Sequence, residues 1–270
     1  MENRLIDSLR RADRFWLLDG AMGTMLQNAG LPLGQLPETY NLLHPEIVTD
    51  IHRQYLQAGA RVVLANTFGA NAHKLDGAAT VADVFAAAVA CAREAGARYV
   101  AGDIGPIGAL LRPLGTLSFD EAYDLFAEEV RAGVDAGVDL FIIETMTDLA
   151  EIKAAVLACR ENSDLPVFAT MTFEEDGRTF LGTSPEVAAI TLDAIGADVL
   201  GINCSQGPAE LRGLAARMLT VTDKPVMVQA NAGLPHVDDD GNTVFDIQAP
   251  EYAEAVAGMI EDGVSVVGGC

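Results

Sequence analysis

The sequence predicts one (β/α)8 TIM barrel, because eight short apolar segments alternate along its 270 residues with longer amphipathic segments. The apolar segments are rich in β-branched residues and lack strict alternation, which is typical of parallel strands buried on both faces. No linker, low-complexity tract or shift in composition divides the chain, so residues 1–270 are predicted to form a single domain. A doubly wound open sheet is the alternative arrangement of the same elements.

The predicted strands and helices follow each other in a regular order. The strands cover residues 15–19, 61–65, 98–104, 140–144, 166–172, 198–204, 225–231 and 264–269. The helices cover residues 45–59, 119–137, 148–163, 184–196, 208–222 and 250–263. Several helices have a capping residue near the start, such as Ser118, Thr147 or Ser184, and a glycine after the end. This alternation predicts βα units and a parallel sheet.

The two ends of the chain depart from a complete barrel. The eighth predicted strand is followed only by Cys270, so the barrel is predicted to lack its last helix. A helix-like segment over residues 2–13 precedes the first strand.

The composition argues against two classes of partner. The 39 acidic and 17 basic residues give a net charge of −22, which repels the phosphate backbone of nucleic acids. The N-terminus lacks the apolar run of a secretory leader, and the other apolar runs are too short and interrupted to span a membrane. We therefore expect a cytoplasmic protein whose four cysteines are free thiols or metal ligands rather than disulfides.

Small, polar or ionisable residues follow nearly every predicted strand. Barrel enzymes carry their functional groups at these carboxyl ends, so the pattern predicts a polar rim above an apolar core. The rim candidates are Asp19, Gly20, Asn66, Asp103, Glu144, Asn203, Cys204, Asn231 and Cys270.

Two of the four cysteines fall on this rim, after the sixth and eighth strands. Thiolates from Cys204 and Cys270 could converge on one metal ion above the barrel, and zinc suits such sulfur ligands. The alternative, that both are small buried apolar residues, is equally compatible with the residues alone. Cys91 and Cys159 lie within Ala-rich helical segments, where we predict that they only pack.

The carboxylates on the rim are the second candidate group. Asp19 and Glu144 directly follow apolar runs, where a charge is costly unless it has a partner. The amino group of a cationic substrate is one such partner, and a loop N–H or an internal ion pair is the alternative. Asp103 has an equal claim to be a turn or cap residue. The glycines around 20–23, Gly20 among them, and around 102–108 are compatible with close approach of the backbone to a small ligand; phosphate binding is the alternative, although neither loop has a phosphate-binding motif.

Longer phrases along the chain resemble a known family. They include LLDGAMGTMLQ, YNLLHPEIVTDIHRQYLQAGARVVLANTFGAN, GDIGPIG, LFIIETMTDLAEIKAA, GINCSQGP, ANAGLP and VVGGC. In this order they are similar to the homocysteine S-methyltransferases. The segments NTFGAN, GINC and NAGLP are most similar to those of the homocysteine-binding module of cobalamin-dependent methionine synthase. The resemblance runs through nearly the whole chain.

The resemblance implies a (β/α)8 barrel with one zinc ion held by three cysteines. Cys204 matches the first ligand and Cys270 the first member of a Cys-Cys pair. The chain stops where the second member should stand. We expect truncation, and a metal site with one thiolate fewer is the alternative.

The resemblance also implies roles for other rim residues. Asp19 and Glu144 match acidic residues at the amino-acid end of homocysteine, and Asn231 matches an asparagine close to the metal. Asn66 and Asn203 are further substrate-site candidates that surround these groups.

The function implied by the resemblance is methyl transfer to a zinc-bound homocysteine thiolate, which forms methionine. Methylcobalamin on another domain or on a corrinoid protein is the donor that the methionine synthase likeness suggests. One alternative is a barrel without metal or catalysis that acts as a binding module. Another is a corrinoid-linked methyltransferase that acts on a different thiol.

Overall fold

A computed structural model describes residues 6, 15–32, 34–204, 206–233, 235–237 and 243–270. The strands are β1 Trp16–Leu17, β2 Val62–Leu64, β3 Tyr99–Ile104, β4 Leu140–Met146, β5 Val167–Met171, β6 Val199–Asn203, β7 Val226–Ala230, β8 Pro235–Val237, β9 Thr243–Phe245 and β10 Val266–Gly269. The helices are α1 Gly23–Asn28, α2 Tyr40–Leu43, α3 Pro45–Gln57, α4 Ala72–Leu75, α5 Val81–Glu94, α6 Phe119–Ala136, α7 Leu149–Asn162, α8 Pro185–Ala194, α9 Pro208–Leu219 and α10 Ala249–Glu261. A 3-10 helix covers Pro37–Thr39.

The sheet confirms the predicted barrel. Eight parallel strands lie in the order β1-β10-β7-β6-β5-β4-β3-β2. A parallel bridge between Leu18 and Val62 joins the two outermost strands, β1 and β2. This closure rules out the open sheet. Strands β8 and β9 form a separate antiparallel hairpin between β7 and α10, which the sequence patterns did not predict.

The helix ends show the expected cap chemistry with one correction. Ser118 and Glu121 form a reciprocal capping box at the start of α6, and Gly137 ends that helix with φ 86°. The residue that caps α7 is Asp148 rather than Thr147, because the Asp148 carboxylate accepts the Ala150 N–H at 2.8 Å. Of the predicted helix over 2–13, only Ile6 is described, and it is helical and buried.

The core has two layers. The outer layer packs strand side chains against the surrounding helices, as Val100, Phe126 and Ala155 do. The inner layer, which we call the lower lumen, fills the barrel with side chains from all eight parallel strands. It consists of Trp16, Leu18, Val62, Leu64, Ala101, Leu140, Ile142, Phe168, Val199, Met227 and Val266, with Ile6 packed against them.

Side chains two residues apart on a strand point to the same face. A residue two positions beyond a lower-lumen side chain therefore also points into the barrel.

Within the described parts of the chain, no helix combines the length and the apolar character needed to cross a membrane.

Candidate functional site

Above the lower lumen, the same strand faces carry polar side chains. Each of these residues lies two positions beyond an inward-facing residue of its strand, so strand alternation directs it into the barrel. We call this set the upper lumen: Asn66, Asp103, Glu144, Thr170, Asn203, Gln229 and Cys270. A cavity of about 490 Å³ lies at this end of the barrel. The inward-facing side chains therefore change from apolar in the lower lumen to polar in the upper lumen, and the cavity lies where they become polar.

Six of the eight residues proposed for the site line this cavity. They are Asp19, Gly20, Asn66, Glu144, Cys204 and Cys270. Asn203 and Asn231 do not line it. Asn203 is fully buried beneath the rim, and the Asn231 N–H donates to the Gln206 carbonyl at 3.1 Å, outside the cavity.

The two predicted carboxyl groups are buried without a cationic partner. Asp19 is 5% exposed, and its Oδ2 accepts the Leu64 N–H at 2.9 Å. Burial raises the pKa of Asp19 well above its usual range, which the Leu64 bond opposes and the Glu144 charge reinforces. Burial also raises the pKa of Glu144 to about 7, against the lowering effect of the Gln229 amide. Neither carboxyl forms an ion pair with a described residue.

Two further cavity residues were missed or misjudged from the sequence. Asp103 is not a turn residue but belongs to β3, and Gln229 belongs to β7. Both are almost fully buried and line the cavity, and each has an oxygen without a hydrogen-bond partner in the described structure. Their signal was present: each lies two residues beyond a lower-lumen side chain, Ala101 or Met227. Finding them requires knowing which residues of each strand face the barrel interior, and the residue that ends the strand does not reveal this.

The two rim cysteines are bonded to each other. Cys204 and Cys270 form a disulfide across β7, with their Cα atoms 5.6 Å apart. The expectation that the four cysteines are free thiols or metal ligands rather than disulfides is therefore wrong for this pair. The physical reason is that the ends of β6 and β10 bring the two Cα atoms within the ordinary range of a disulfide. Cys91 and Cys159 are free and buried in α5 and α7, as predicted.

Asn203 positions the backbone around the rim. Its Oδ1 accepts the Thr145 N–H and the Thr170 hydroxyl, both at 2.8 Å, and its Nδ2 donates to Thr145 Oγ1 at 2.7 Å. Thr145 and Cys204 have φ values of 62° and 58°, a left-handed conformation that is uncommon for such residues. Asn203 thus holds one strained residue and directly precedes the other.

Asn66 has a comparable role on the opposite side of the barrel. Its Nδ2 donates to the Pro37 carbonyl at 2.9 Å and to Asn41 Oδ1 at 3.0 Å. These bonds hold Leu36–Glu38 against the cavity, and we call these three residues the cover segment. Glu38 is buried, and its Oε1 accepts the Gly69 N–H at 2.5 Å. The cover segment is therefore tied to the loop that follows β2.

Lys74 is the one basic residue among the described residues that line the cavity. Its ammonium lies 5.1 Å from the centre of the Phe68 ring. It lowers the pKa of Glu38, although burial of Glu38 has the larger effect and raises that pKa. Lys74 thus places a positive charge near the buried Glu38 carboxylate of the cover segment.

Comparison with known sequences gives a consistent picture. The model of the homocysteine S-methyltransferase family matches residues 16–270. The chain is 36% identical to a methionine synthase of Mycobacterium leprae over 282 positions and 37% identical to one of Mycobacterium tuberculosis over 289. These alignments cover 96% and 98% of this chain but 23% and 24% of the relatives. The chain therefore spans about a quarter of the length of the curated relatives it matches.

Solved structures show the same fold. The homocysteine methyltransferase MmuM from Escherichia coli in its metallated form gives a TM-score of 0.81 at 24% identity, covering 99% of this chain and 95% of that one. Its oxidized form gives a TM-score of 0.83 at 22% identity, covering 100% and 95%. At these identities the likeness establishes the barrel fold.

Proposed function

The chain belongs to the homocysteine S-methyltransferase family, and we propose that it binds homocysteine and presents the homocysteine thiol for methylation, which forms methionine. The observation that carries this proposal is the pairing of two kinds of group in one cavity. Buried carboxyls without a cationic partner among the described residues and the two cysteines, Cys204 and Cys270, line the same cavity. An amino acid that carries both an ammonium group and a thiol matches this pairing.

The carboxyl groups have a defined task in this proposal. Asp19 and Glu144 hold the substrate ammonium, which supplies the positive charge that the cavity floor lacks. Gly20 lines the same cavity, and a Cβ atom there would stand 3.1 Å from the Tyr55 side chain, so glycine permits the close packing of Tyr55 against this turn. The Gly20 backbone is proposed to contact the substrate from the cavity side. Binding the ammonium here fixes the direction of the thiol towards the two cysteines.

The cysteines are proposed to hold zinc after reduction of the disulfide. Two thiolates that meet at one point are the donor chemistry that zinc prefers. Among the described residues, no group of three His, Cys, Asp or Glu side chains is arranged to hold a metal, so this pair supplies two ligands and not a complete set. When bound, zinc lowers the pKa of a thiol that joins its ligands and so favours the nucleophilic thiolate.

The methyl donor is proposed to be methylcobalamin carried by another domain or by a corrinoid protein. The support is indirect: the relatives are methionine synthases about four times as long as this chain, which leaves room for donor-carrying domains. A donor of that size must reach the site from the open end of the barrel.

Metal content after reduction tests the ligand assignment. Reduced protein mixed with zinc and then desalted should retain the metal, and Cys204→Ala should lose it. Cys91→Ala is the matched control, because Cys91 lies in α5 away from the cavity. Unchanged zinc retention in Cys204→Ala rejects the ligand assignment.

A homocysteine-binding barrel without metal is the second candidate function, favoured by the lack of a third ligand among the described residues. Isothermal titration of the reduced protein with homocysteine, with and without zinc, separates the two. Equal affinity in both conditions supports the second candidate, and tighter binding with zinc supports the first.

A further inference from the structure

Asp103 is fixed in the upper lumen by its backbone. Its N–H donates to Thr67 Oγ1 at 3.0 Å, and its carbonyl accepts the Thr67 hydroxyl at 2.8 Å. It also lies in register with Ile142 on β4. The buried Thr67 therefore holds this part of β3 in place, and the Asp103 side chain faces the cavity between the strands that carry the other carboxyls.

The Asp103 carboxyl makes no hydrogen bond or ion pair with the residues that the structure describes. It is 7% exposed, and Oδ1 has no hydrogen-bond partner among the described residues. A buried carboxyl in such a position is expensive for the fold, since its lost hydration is not replaced. The three carboxyls line one cavity: burial raises the pKa of Asp103, and the charges of Glu144 and Asp19 raise it further. Because Asp103 lines the cavity, a donor on a ligand there can pair with this oxygen.

We propose that Asp103 is a third substrate-binding carboxyl, which together with Asp19 and Glu144 accepts the three N–H donors of a primary ammonium group. This inference rests on the proposed function, because it assigns a further residue to the same substrate. An ammonium group has three N–H donors and no acceptor. Three carboxyls from β3, β4 and the end of β1 offer one acceptor to each donor.

The proposal gives the cavity a defined selectivity. An N-methylated amine has fewer N–H donors and leaves one buried carboxyl unpaired. A thiol without an amino group leaves all three unpaired. A site built to pair with a polar group discriminates strongly against analogues that lack it, because its own buried groups then lose their partners. The cavity should therefore prefer thiols with a primary ammonium over thiols of equal length without one.

Thiol binding by reduced Asp103→Asn tests the proposal. The probes are homocysteine, N-methylhomocysteine and 4-mercaptobutanoate, which is homocysteine without its amino group, all measured by isothermal titration. Asn keeps the size of Asp but loses the charge. We expect homocysteine to bind about 10- to 100-fold more weakly, as for loss of one charged hydrogen bond. Binding of 4-mercaptobutanoate should stay unchanged or become tighter, and the preference for homocysteine over N-methylhomocysteine should shrink.

Controls separate this proposal from a folding defect and from the proposed function. Glu151→Gln alters another buried carboxyl, one outside the cavity that accepts the Ile107 N–H at 2.8 Å, and should leave thiol affinities unchanged. Asp103→Ala provides a second variant if Asn introduces new contacts. Equal weakening of all three probes, or unchanged homocysteine affinity, overturns the role of Asp103 alone. Failure of the unmodified protein to bind homocysteine overturns the proposed function as well.

Discussion

The lower lumen and the upper lumen lie on the same strand faces, but the first is filled with apolar side chains and the second is lined with polar ones. Ile142, Phe168 and Val199 in the lower lumen are apolar and fully buried. Two residues further along, Asp103, Glu144 and Gln229 are almost as deeply buried, and each has a polar oxygen without a partner in the described structure. One end of the barrel therefore contributes mainly to stability, whereas the other keeps buried polar oxygens with which a ligand in the cavity can pair.

The largest effect should come from breaking the lower lumen. Phe168→Ala removes a fully buried ring and should lower the free energy of unfolding by about 3–5 kcal/mol. Phe180→Ala is the matched control, since Phe180 is 67% exposed and its loss should change stability by less than about 0.5 kcal/mol. Urea unfolding measures both. Equal losses would show that the lower lumen is not closely packed.

The upper lumen should give the protein an unusual dependence of stability on pH. Glu144 has a pKa of about 7 in the folded protein and an ordinary, lower value when unfolded. Between those values the folded state binds the extra proton, so the stabilising effect is present at low pH and is lost as the pH rises through 7. One such group contributes a slope of at most about 1.4 kcal/mol per pH unit. The ligand-free protein should therefore melt at lower temperature at pH 8 than at pH 5.

Glu144→Gln isolates this contribution. The variant should lose less stability than the unmodified protein between pH 5 and 8, as measured by thermal melts at each pH. Glu186→Gln serves as the control because its partner Arg217 lowers the pKa of Glu186 to about 2, outside this range. A slope identical in Glu144→Gln and the unmodified protein would contradict the assignment.

A smaller loss is expected where the upper lumen is internally paired. Asn203→Ala removes the acceptor of the Thr145 N–H and of the Thr170 hydroxyl, and should cost about 1–3 kcal/mol. It should also weaken homocysteine binding, because Thr145 lines the cavity. Asn28→Ala in the exposed end of α1 is the control. Chemical denaturation and titration give the two readouts, and no change in either would remove Asn203 from the rim structure.

The smallest effect should come from the boundary between the two lumens. Thr170 follows Phe168 by two positions and donates to Asn203 Oδ1 at 2.8 Å. Thr170→Val keeps the shape but removes this hydrogen bond, so we expect a loss of about 1 kcal/mol. Combining Thr170→Val with Asn203→Ala in a double-mutant cycle measures the coupling directly. Strictly additive losses would mean that the hydrogen bond contributes nothing.

The fold was accessible from the sequence because its signals are local. Apolar runs, helix caps and the glycine after α6 each depend on a few neighbouring residues. The hairpin of β8 and β9 was missed because strands of three residues show no periodicity. Asn231 was expected on the cavity and does not line it, for a different reason. It lies two residues beyond the inward-facing Gln229, so strand alternation predicts that it also faces inward. However, β7 ends at Ala230, and the chain has left the barrel at Asn231.

The chemistry of the site was only partly accessible. Asp19, Glu144 and both cysteines, which the strand ends indicated, line one cavity, and their roles there stay a prediction. The bonding of Cys204 to Cys270 could not be read from residue identities, because a close pair of thiols is compatible with a metal as well as with a disulfide. The inward direction of Asp103 depends on strand register, which a list of strand ends does not contain.

The bond between Glu38 and Gly69 provides a built-in reporter of access to the cavity. While the Gly69 amide donates to the Glu38 carboxylate, its hydrogen is protected from exchange with solvent deuterium. Each departure of the cover segment exposes that hydrogen. The exchange rate of this single amide, compared with and without ligand, therefore measures how far a ligand in the cavity stabilises the cover segment in place.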